Sequence, residues 1–311
     1  TMASITQAQA RLFSRPNPID GLHEDLPIPD EFIEALPWVK LEGHQVNVLR
    51  VTSGNFGSAT WVAPGGATPD SSSVPTAPAT TFELRRVEVD LLLDSFSEAI
   101  YSSPLDVDIA QVELDAKLLN CRYAIGRALV IGAGGATNEP EGLRTQVIAA
   151  QTVGASNDAA NGGTLLLTDV DRLLALIRAN NGRADVLVMN LAVRQKWEKA
   201  HYDKGLQPRV ERNLETGLED FYHGRVRVVV SDHLPSNETK GAGKNLSSIY
   251  AVVLGYGKGL CGGWKPGASG EFFEIERVLV EGTDQHRYRV SAQATFPLFS
   301  TRSLARLNGI A

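Results

Sequence analysis

The clearest structural signal in the chain is residues 103–143, which read SPLDVDIAQVELDAKLLNCRYAIGRALVIGAGGATNEPEGL. Ser103 is a suitable helix cap, with Pro104 at the first helical position and Asp106 in the first turn. Apolar side chains then recur at the spacing of one helix face, at Val107, Ala110, Leu114, Leu118, Cys121, Ile125 and Ala128. This pattern predicts a helix over residues 104–131, about 40 Å long, which the glycine-rich run 132–135 ends.

The same glycine run has a second interpretation, as a nucleotide-binding loop. Residues 128–131 followed by Gly132–Gly135 look like a strand that enters the glycine turn of a dinucleotide-binding fold. The context favours a helix stop, because the apolar residues continue a helical stripe. Pro140 and Gly142 also interrupt the segment where a phosphate-binding helix would follow. An enzyme that uses the Gly132–Gly135 turn is therefore kept only as a distant alternative.

Residues with catalytic or metal-binding chemistry are scattered along the chain. The two cysteines, Cys121 and Cys261, form no C-x-x-C pair, and no two histidines stand at the spacing of a helical metal site. Ser231 lies beside Asp232 and His233, but neighbours on a strand point to opposite faces and would not converge. The sequence thus predicts no catalytic, cofactor-binding or metal site, no cofactor and no enzymatic activity.

The charge of the 311-residue chain limits its partners. The formal net charge is −6, and the nearest approach to a basic stripe is Arg85–Arg86. Proteins that grip phosphates usually carry such a stripe, so we expect only weak, non-specific contact with nucleic acid. No apolar run reaches the roughly 18 residues that span a bilayer, so no membrane association is predicted.

The front of the chain contains two extended segments. Residues 1–45 carry five prolines, which leave room only for short helices such as Asp30–Leu36. Period-2 patterns over residues 45–51, 59–63 and 80–93 predict strands that flank the Pro/Gly/Ser/Thr-rich residues 64–79. A two-stranded ribbon is marginal in water. We therefore expect both segments to become ordered only on another surface, such as a neighbouring subunit.

The remainder predicts a mixture of helices and strands. A helix that is capped by the polar residues of Thr168–Asp171 and ends at residues 180–182 carries Val170, Leu173, Leu174 and Ile177 on one face. A second helix is predicted over residues 192–202. Strands are predicted over residues 184–189, 225–231, 248–254, 271–281 and 287–297, the last two as a hairpin.

Five sequence patterns, taken in order, resemble one family. They are Leu36–Val39 with Leu41–His44, Thr80–Arg86, Ile131–Gly135 with Pro140–Leu143, Phe221–Val226 with Val230–Pro235, and Arg289–Ala292 with Ala305–Ile310. In this order they resemble the major capsid proteins of tailed bacteriophages, which have the Hong Kong 97 fold. Each pattern is weak alone, and the order is the specific part.

The resemblance implies an α+β, Hong Kong 97-like capsid fold with four parts. These are an N-terminal arm (1–45), an extended β-loop (46–88), a peripheral domain with a spine helix at 104–131 (89–147 and 263–295) and an α/β axial domain (148–262 and 296–311). It also implies inter-subunit contacts, for which the candidates are Trp38, Phe56, Trp61, Arg85 and Arg86.

The implied function is structural. A major capsid protein self-assembles into the hexamers and pentamers of an icosahedral shell around phage double-stranded DNA, in the host bacterial cytoplasm, and becomes part of the virion. Portal, scaffolding and decoration proteins are the further partners that the resemblance implies. An encapsulin-type nanocompartment shell is the main alternative, and an adhesion or decoration module is a third that the long helix argues against.

Some members of the family crosslink their subunits through a lysine in the extended loop. This chain has no lysine between Lys40 and Lys117. Because no loop amine exists to form an isopeptide bond, the sequence predicts a shell held together without covalent links.

Overall fold

The structure is a computed structural model. It describes residues 30–50, 64, 80–94, 109–135, 137–179, 182–212, 219–267, 270–279 and 284–311. The predicted arm before Asp30, most of the loop including Phe56 and Trp61, and the predicted helix start at 104–108 lie outside these residues.

The described helices agree closely with the helical patterns of the sequence. They are α1 (Glu31–Ala35), α2 (Ile109–Ile131), α3 (Leu143–Gln146), α4 (Leu167–Arg178) and α5 (Leu191–Tyr202), of which α3 was not predicted. Short helical turns also occur at Ala149–Gln151, Ala155–Asp158 and Thr301–Ser303. The spine helix, α2, ends at Ile131, where the glycine run was expected to end it. Its 23 residues span about 35 Å at 1.5 Å per residue.

The described strands form two large sheets and one ribbon. The strands are β1 (Trp38–Lys40), β2 (Gln45–Val48), β3 (Thr80–Glu83), β4 (Arg85–Asp94), β5 (Thr152–Gly154), β6 (Val186–Met189), β7 (Arg209–Arg212), β8 (Glu219–His223), β9 (Val226–Val230), β10 (Glu238–Lys240), β11 (Gly243–Val252), β12 (Gly262–Lys265), β13 (Phe273–Leu279), β14 (Gln285–Thr295) and β15 (Leu304–Ile310).

The five-stranded sheet is organised around β14. Strand β4 pairs along one edge of β14, while β13 and then β12 pair along the other, and β1 adds to β12 in parallel. The spine helix packs across β4 and β14. Alternation explains this packing: Leu91 and Leu93 turn toward the helix side and are buried with Tyr288, while Arg86 and Glu88 turn to the other face.

The eight-stranded sheet has the order β5-β15-β11-β6-β9-β8-β7, with β10 paired to β11. The C-terminal strand β15 therefore lies inside the sheet, antiparallel to β11 and parallel to β5. Helices α4 and α5 cover this sheet and bury Val170, Leu173, Ile177, Val193 and Trp197 in one hydrophobic core.

A second core joins the two sheets and corrects the expectation for the arm. Phe32 and Leu36 of the arm are buried there together with Leu129 of the spine helix and Phe296. Phe82 of the β2–β3 ribbon belongs to the same core. The expectation that the arm and the loop cannot pack on their own chain is thus wrong for residues 30–48 and 80–83, because most of their large apolar side chains contribute to this core.

Two further expectations need correction. The single strand predicted over residues 80–93 divides at Leu84, because the chain leaves its partner β2 there and begins to pair with β14. Helix α4 begins at Leu167, and Asp169 is not its cap. The buried Asp169 carboxylate instead accepts the backbone N–H groups of Ser156 (2.7 Å) and Asn157 (3.2 Å), in a turn whose φ angles are positive. The predicted domain boundaries remain a proposal.

Candidate functional site

The candidate contact residue Trp38 makes extensive contacts within its own chain. Its ring meets Phe272 edge-on at 5.1 Å and Phe296 at 6.2 Å between centroids. Its indole N–H donates to the carbonyl oxygen of Ile33 at 3.2 Å. Trp38 therefore fixes the end of the arm to the five-stranded sheet, and a contact with a neighbouring subunit stays a prediction.

Arg85 and Arg86 lie at the start of β4, in a balanced network of charges. Arg85 pairs with Glu83 at 2.8 Å, and Arg86 pairs with Glu88 at 2.6 Å. On the same face as Arg86, Arg289 donates two hydrogen bonds to Asp90, and these hold the pKa of that carboxyl below its usual value. A face on which acids neutralise the arginines is a weak phosphate-binding surface.

The arm helix α1 is held to the eight-stranded sheet by two carboxylates. Asp30 caps the helix by accepting the Phe32 N–H at 2.8 Å with one oxygen. Its other oxygen accepts the Ser231 hydroxyl at 2.5 Å and lies 3.6 Å from His233 Nε2. Glu31 accepts the Val230 N–H at 3.0 Å, at the end of β9. We call Asp30, Ser231 and His233 the arm latch.

The spine helix completes the arm latch. The His233 ring meets Tyr123 edge-on at 4.6 Å, and a Cβ at Gly126 would lie 2.4 Å from His233 Nε2. Gly126 is therefore the residue that lets the histidine approach the helix backbone. A glycine inside an otherwise regular helix costs about 1 kcal/mol relative to alanine, and this was the one sequence signal for the contact.

The geometry of the arm latch fits a structural clamp. The Ser231 hydroxyl donates its proton to the Asp30 carboxylate, and the same carboxylate oxygen faces the imidazole, whereas in a catalytic triad the hydroxyl would donate to the histidine. The premise that residues 231–233 are neighbours on a strand is wrong, because strand β9 ends at Val230 and a turn follows at Asp232–His233. Ser231 and His233 both reach Asp30. That the three residues form no catalytic site stays a prediction.

Burial sets the electrostatics of the arm latch. The side chains of Asp30 and His233 are each 5% exposed. Loss of hydration raises the pKa of Asp30, against the hydrogen bonds that it accepts, and lowers the pKa of His233, against the nearby carboxylates. Both shifts favour the neutral forms of the two groups.

This predicts a pH dependence of folding. Because the pKa of His233 is lower in the folded subunit, its stabilising contribution is full above the unfolded pKa and is lost as pH falls through the folded pKa. The pKa of Asp30 is raised in the folded subunit, so its contribution to stability changes in the opposite direction. That contribution is full below the unfolded pKa of Asp30 and is lost as pH rises through the folded pKa. Between about pH 7.5 and 5.5, the free energy of unfolding should fall less in His233→Gln than in the native subunit.

Urea unfolding followed by circular dichroism at several pH values measures this difference. His44→Gln is the matched control, since His44 is exposed, and it should keep the native slope. Equal slopes for His233→Gln and the native subunit would show that His233 does not titrate in the latch.

The glycine turn after the spine helix uses its backbone groups internally. Gly132 N–H donates to Ala128 O at 2.9 Å, and Gly142 N–H donates to Gly132 O at 3.0 Å. Thr145 Oγ1 donates to the same Gly132 oxygen at 2.7 Å. The turn also follows the C-terminal end of a helix, where the partial charge is negative. This is the helix stop that the sequence predicted, because both backbone groups of Gly132 are bonded within the turn.

The base of the extended loop is anchored by Arg50. Its guanidinium donates to the carbonyl oxygens of Leu298 (2.6 Å) and Phe299 (3.4 Å) and to Thr80 Oγ1 (3.2 Å). Partial burial lowers the pKa of this side chain against the attraction of Glu141, but an arginine remains charged. Arg50 therefore fixes where the loop leaves the subunit.

The remaining chemistry of the described residues is sparse. No cluster of three or more His, Cys, Asp or Glu that could hold a metal occurs among them. Burial raises the pKa of Cys261 to about 11 and also raises that of Cys121, so both thiols stay protonated. No helix within the described ranges is long and apolar enough to cross a membrane.

By sequence, the chain matches no protein-family model and no curated protein. By structure, it is similar to the holo-SrpI encapsulin complex from Synechococcus elongatus PCC 7942, with TM-score 0.74 and 16% identity over 99% of this chain and 96% of that one. It is similar to the capsid of a native GTA particle, with TM-score 0.69 and 14% identity over 100% of both chains. A chain of Microbacterium phage Oxtober96 matches with TM-score 0.65 and 14% identity over 98% of this chain and 99% of that one. The chain therefore has the Hong Kong 97-like capsid fold.

Proposed function

We propose that this protein is the major capsid protein of a tailed bacteriophage, which self-assembles into the hexamers and pentamers of an icosahedral shell around double-stranded DNA. The observation that carries the proposal is the fold, which matches capsid and encapsulin chains from end to end in both directions. The proposed role needs surfaces that meet copies of the same chain.

The exposed edges of both sheets offer such surfaces. Strands β7 and β13 are edge strands, and they expose Val210, Ile275 and Val278. An apolar edge strand readily pairs with another chain. Leu49, at the base of the loop, is also exposed. Together with Trp38, Phe56, Trp61, Arg85 and Arg86, these residues are our candidates for inter-subunit contact.

An encapsulin-type shell is the second candidate, because an encapsulin is among the similar structures. The two functions differ in what the shell encloses. The net charge of −6 and the neutralised arginines of β4 suit DNA that is enclosed without being tightly bound. The proposed partners are other copies of the chain first, then portal, scaffolding and decoration proteins, in the host cytoplasm and finally in the virion.

Electron microscopy of the purified protein tests the assembly. Closed shells are expected, and only unassembled, folded monomers at every concentration would contradict a shell function. Nuclease-protected DNA in particles from infected cells supports the capsid, whereas shells that enclose one co-expressed protein support the encapsulin. Deletion of residues 64–79 in the loop should reduce shell closure while the circular dichroism of the subunit stays native. Leu206→Ala, at an exposed position outside the loop, is the control for the effect of mutation itself.

The absence of a loop lysine gives a separate prediction for mature shells. Boiled in detergent, they should run on a gel as the 33.5 kDa chain, because no amine between Lys40 and Lys117 can form an isopeptide bond. A ladder of covalent multimers that contains peptides from residues 46–88 would contradict this.

A further inference from the structure

A cavity of about 500 Å³ opens between the arm helix, the spine helix and the chain before β13. Its walls include four aromatic side chains, Trp38, Tyr123, Phe272 and Phe273. The ring centroids of Trp38 and Phe272 lie 5.1 Å apart, and those of Phe272 and Phe273 lie 4.9 Å apart. Tyr123 is 49% exposed. Trp38, Phe272 and Phe273 thus pack against one another, and the ring of Tyr123 is exposed at the opening of the cavity.

The cavity also carries charges of both signs. Glu34 and Asp232 supply carboxylates, and Arg122 supplies a guanidinium that lies 5.8 Å from the ring centroid of Phe273. An aromatic groove flanked by fixed charges is the kind of site that binds a polyproline II segment, since such a segment is already extended and loses little entropy on binding.

We propose that the occupant of this cavity is residues 15–20 of the same chain, which read Arg-Pro-Asn-Pro-Ile-Asp. The prolines favour the polyproline II conformation, and Ile19 supplies an apolar side chain for the aromatic wall. The end charges complement the cavity: Arg15 suits the carboxylates Glu34 and Asp232, and Asp20 suits Arg122.

The covalent connection favours the same chain over a neighbour. Asp30 itself lines the cavity, so residues 15–20 are tethered to its wall. The ten residues from Asp20 to Asp30 span up to about 35 Å when extended, which is ample for the segment to fold back. Such a tether gives an effective concentration of about 1 mM or more. Residues 26–29 are too close to Asp30 to turn back, which is why we choose the earlier proline pair.

This inference goes beyond shell formation, because it holds for a single subunit before and after assembly. It predicts that part of the N-terminal segment covers the aromatic cavity of its own subunit. A shell could therefore form with the cavity empty, and the cavity could be filled in a subunit that forms no shell. The two proposals fail independently.

Photocrosslinking in the full-length protein tests it. Ile19→p-benzoylphenylalanine places a photoreactive group on the segment, and mass spectrometry identifies the partner. We expect crosslinks to peptides that contain residues 119–123 or 272–273. When ¹⁴N- and ¹⁵N-labelled protein are mixed, both crosslinked peptides should carry the same label, because the crosslink forms within one chain. Adding Tyr123→Ala should lower the yield about fivefold or more, since a central aromatic contact is lost. Tyr256→Ala, an aromatic residue that is 60% exposed elsewhere, should leave the yield unchanged.

Three outcomes would overturn the inference: crosslinks spread over the surface, crosslinks between ¹⁴N and ¹⁵N chains, or equal yields with and without Tyr123. A second measurement avoids the photoreactive group. The aromatic ¹H–¹³C spectrum of the protein with its native sequence is compared with the spectrum of the Pro16→Gly/Pro18→Gly variant. A shift of the Tyr123 resonance supports docking, and an unchanged resonance contradicts it.

Discussion

The Leu307→Asp variant is expected not to fold. Leu307 is fully buried on β15, where it lies opposite Ile249 of β11 and Val153 of β5. Removing a buried leucine costs about 2–5 kcal/mol, and a buried carboxylate without a partner adds several kcal/mol more. Because a domain is stable by only about 5–15 kcal/mol, this single change removes most or all of that stability.

The neighbouring residue shows what a charge on β15 requires. Arg306 pairs with the buried Glu238 at 2.8 Å, and its guanidinium lies 5.7 Å from the ring centroid of Tyr250. Leu307 faces the other way, into the apolar core beneath α4. A carboxylate at that position would have no cation to pair with among the residues of this core.

Solubility and far-ultraviolet circular dichroism of the expressed chain measure the outcome. Leu206→Asp is the matched control, because Leu206 is 53% exposed and should tolerate the same change. A soluble Leu307→Asp subunit with native ellipticity would show that β15 is not part of the folding core.

The Gly132→Ala substitution is expected to lower the free energy of unfolding by about 3 kcal/mol or more. This is at or above the upper end of the range of costs that overpacking usually causes. A Cβ at this position would lie 2.1 Å from the Pro140 carbonyl oxygen and 2.4 Å from that of Ala128. Both atoms belong to the backbone. The Ala128 oxygen accepts the Gly132 N–H, and the hydrogen bond from Gly142 N–H to the Gly132 oxygen holds the returning chain beside the helix end. Relief therefore requires that the helix end and the returning chain move apart.

Gly135→Ala is the control within the same glycine run. A Cβ at Gly135 meets nothing within 4 Å, and its φ is not in the positive region. Alanine there should be neutral or stabilising by up to about 1 kcal/mol. The midpoint of urea unfolding measures both variants. Equal effects at the two positions would contradict the proposed packing of the turn.

Much of the fold was contained in local patterns of the sequence. The spine helix, its glycine stop and the hairpin of β13 and β14 follow from periodicity and turn residues. These elements are long and strongly patterned, so local preference and tertiary packing agree in them. The short strands β7 and β8 were not predicted, because four or five residues with mixed polarity carry little periodic signal.

The arm latch shows the limit of such patterns. Asp30 meets Ser231 and His233 across about 200 residues of chain, and no local spacing connects them. Local spacing also failed to identify the partners of Asp169. The sequence pattern predicted that it caps a helix, but its carboxylate accepts the backbone N–H groups of a separate turn. A polar side chain can satisfy its hydrogen bonds with any group that folding brings near, so its partner is decided by the tertiary structure.

By itself, then, the sequence determined where the regular elements lie and which of their faces are apolar, because those properties depend on neighbours within a few residues. Only the tertiary structure decided that the end of the arm packs on its own subunit, that β15 lies inside the eight-stranded sheet, and that Gly126 and Gly132 are sites of close approach. Each of these depends on which distant surfaces meet, and that is set by the burial of the whole chain.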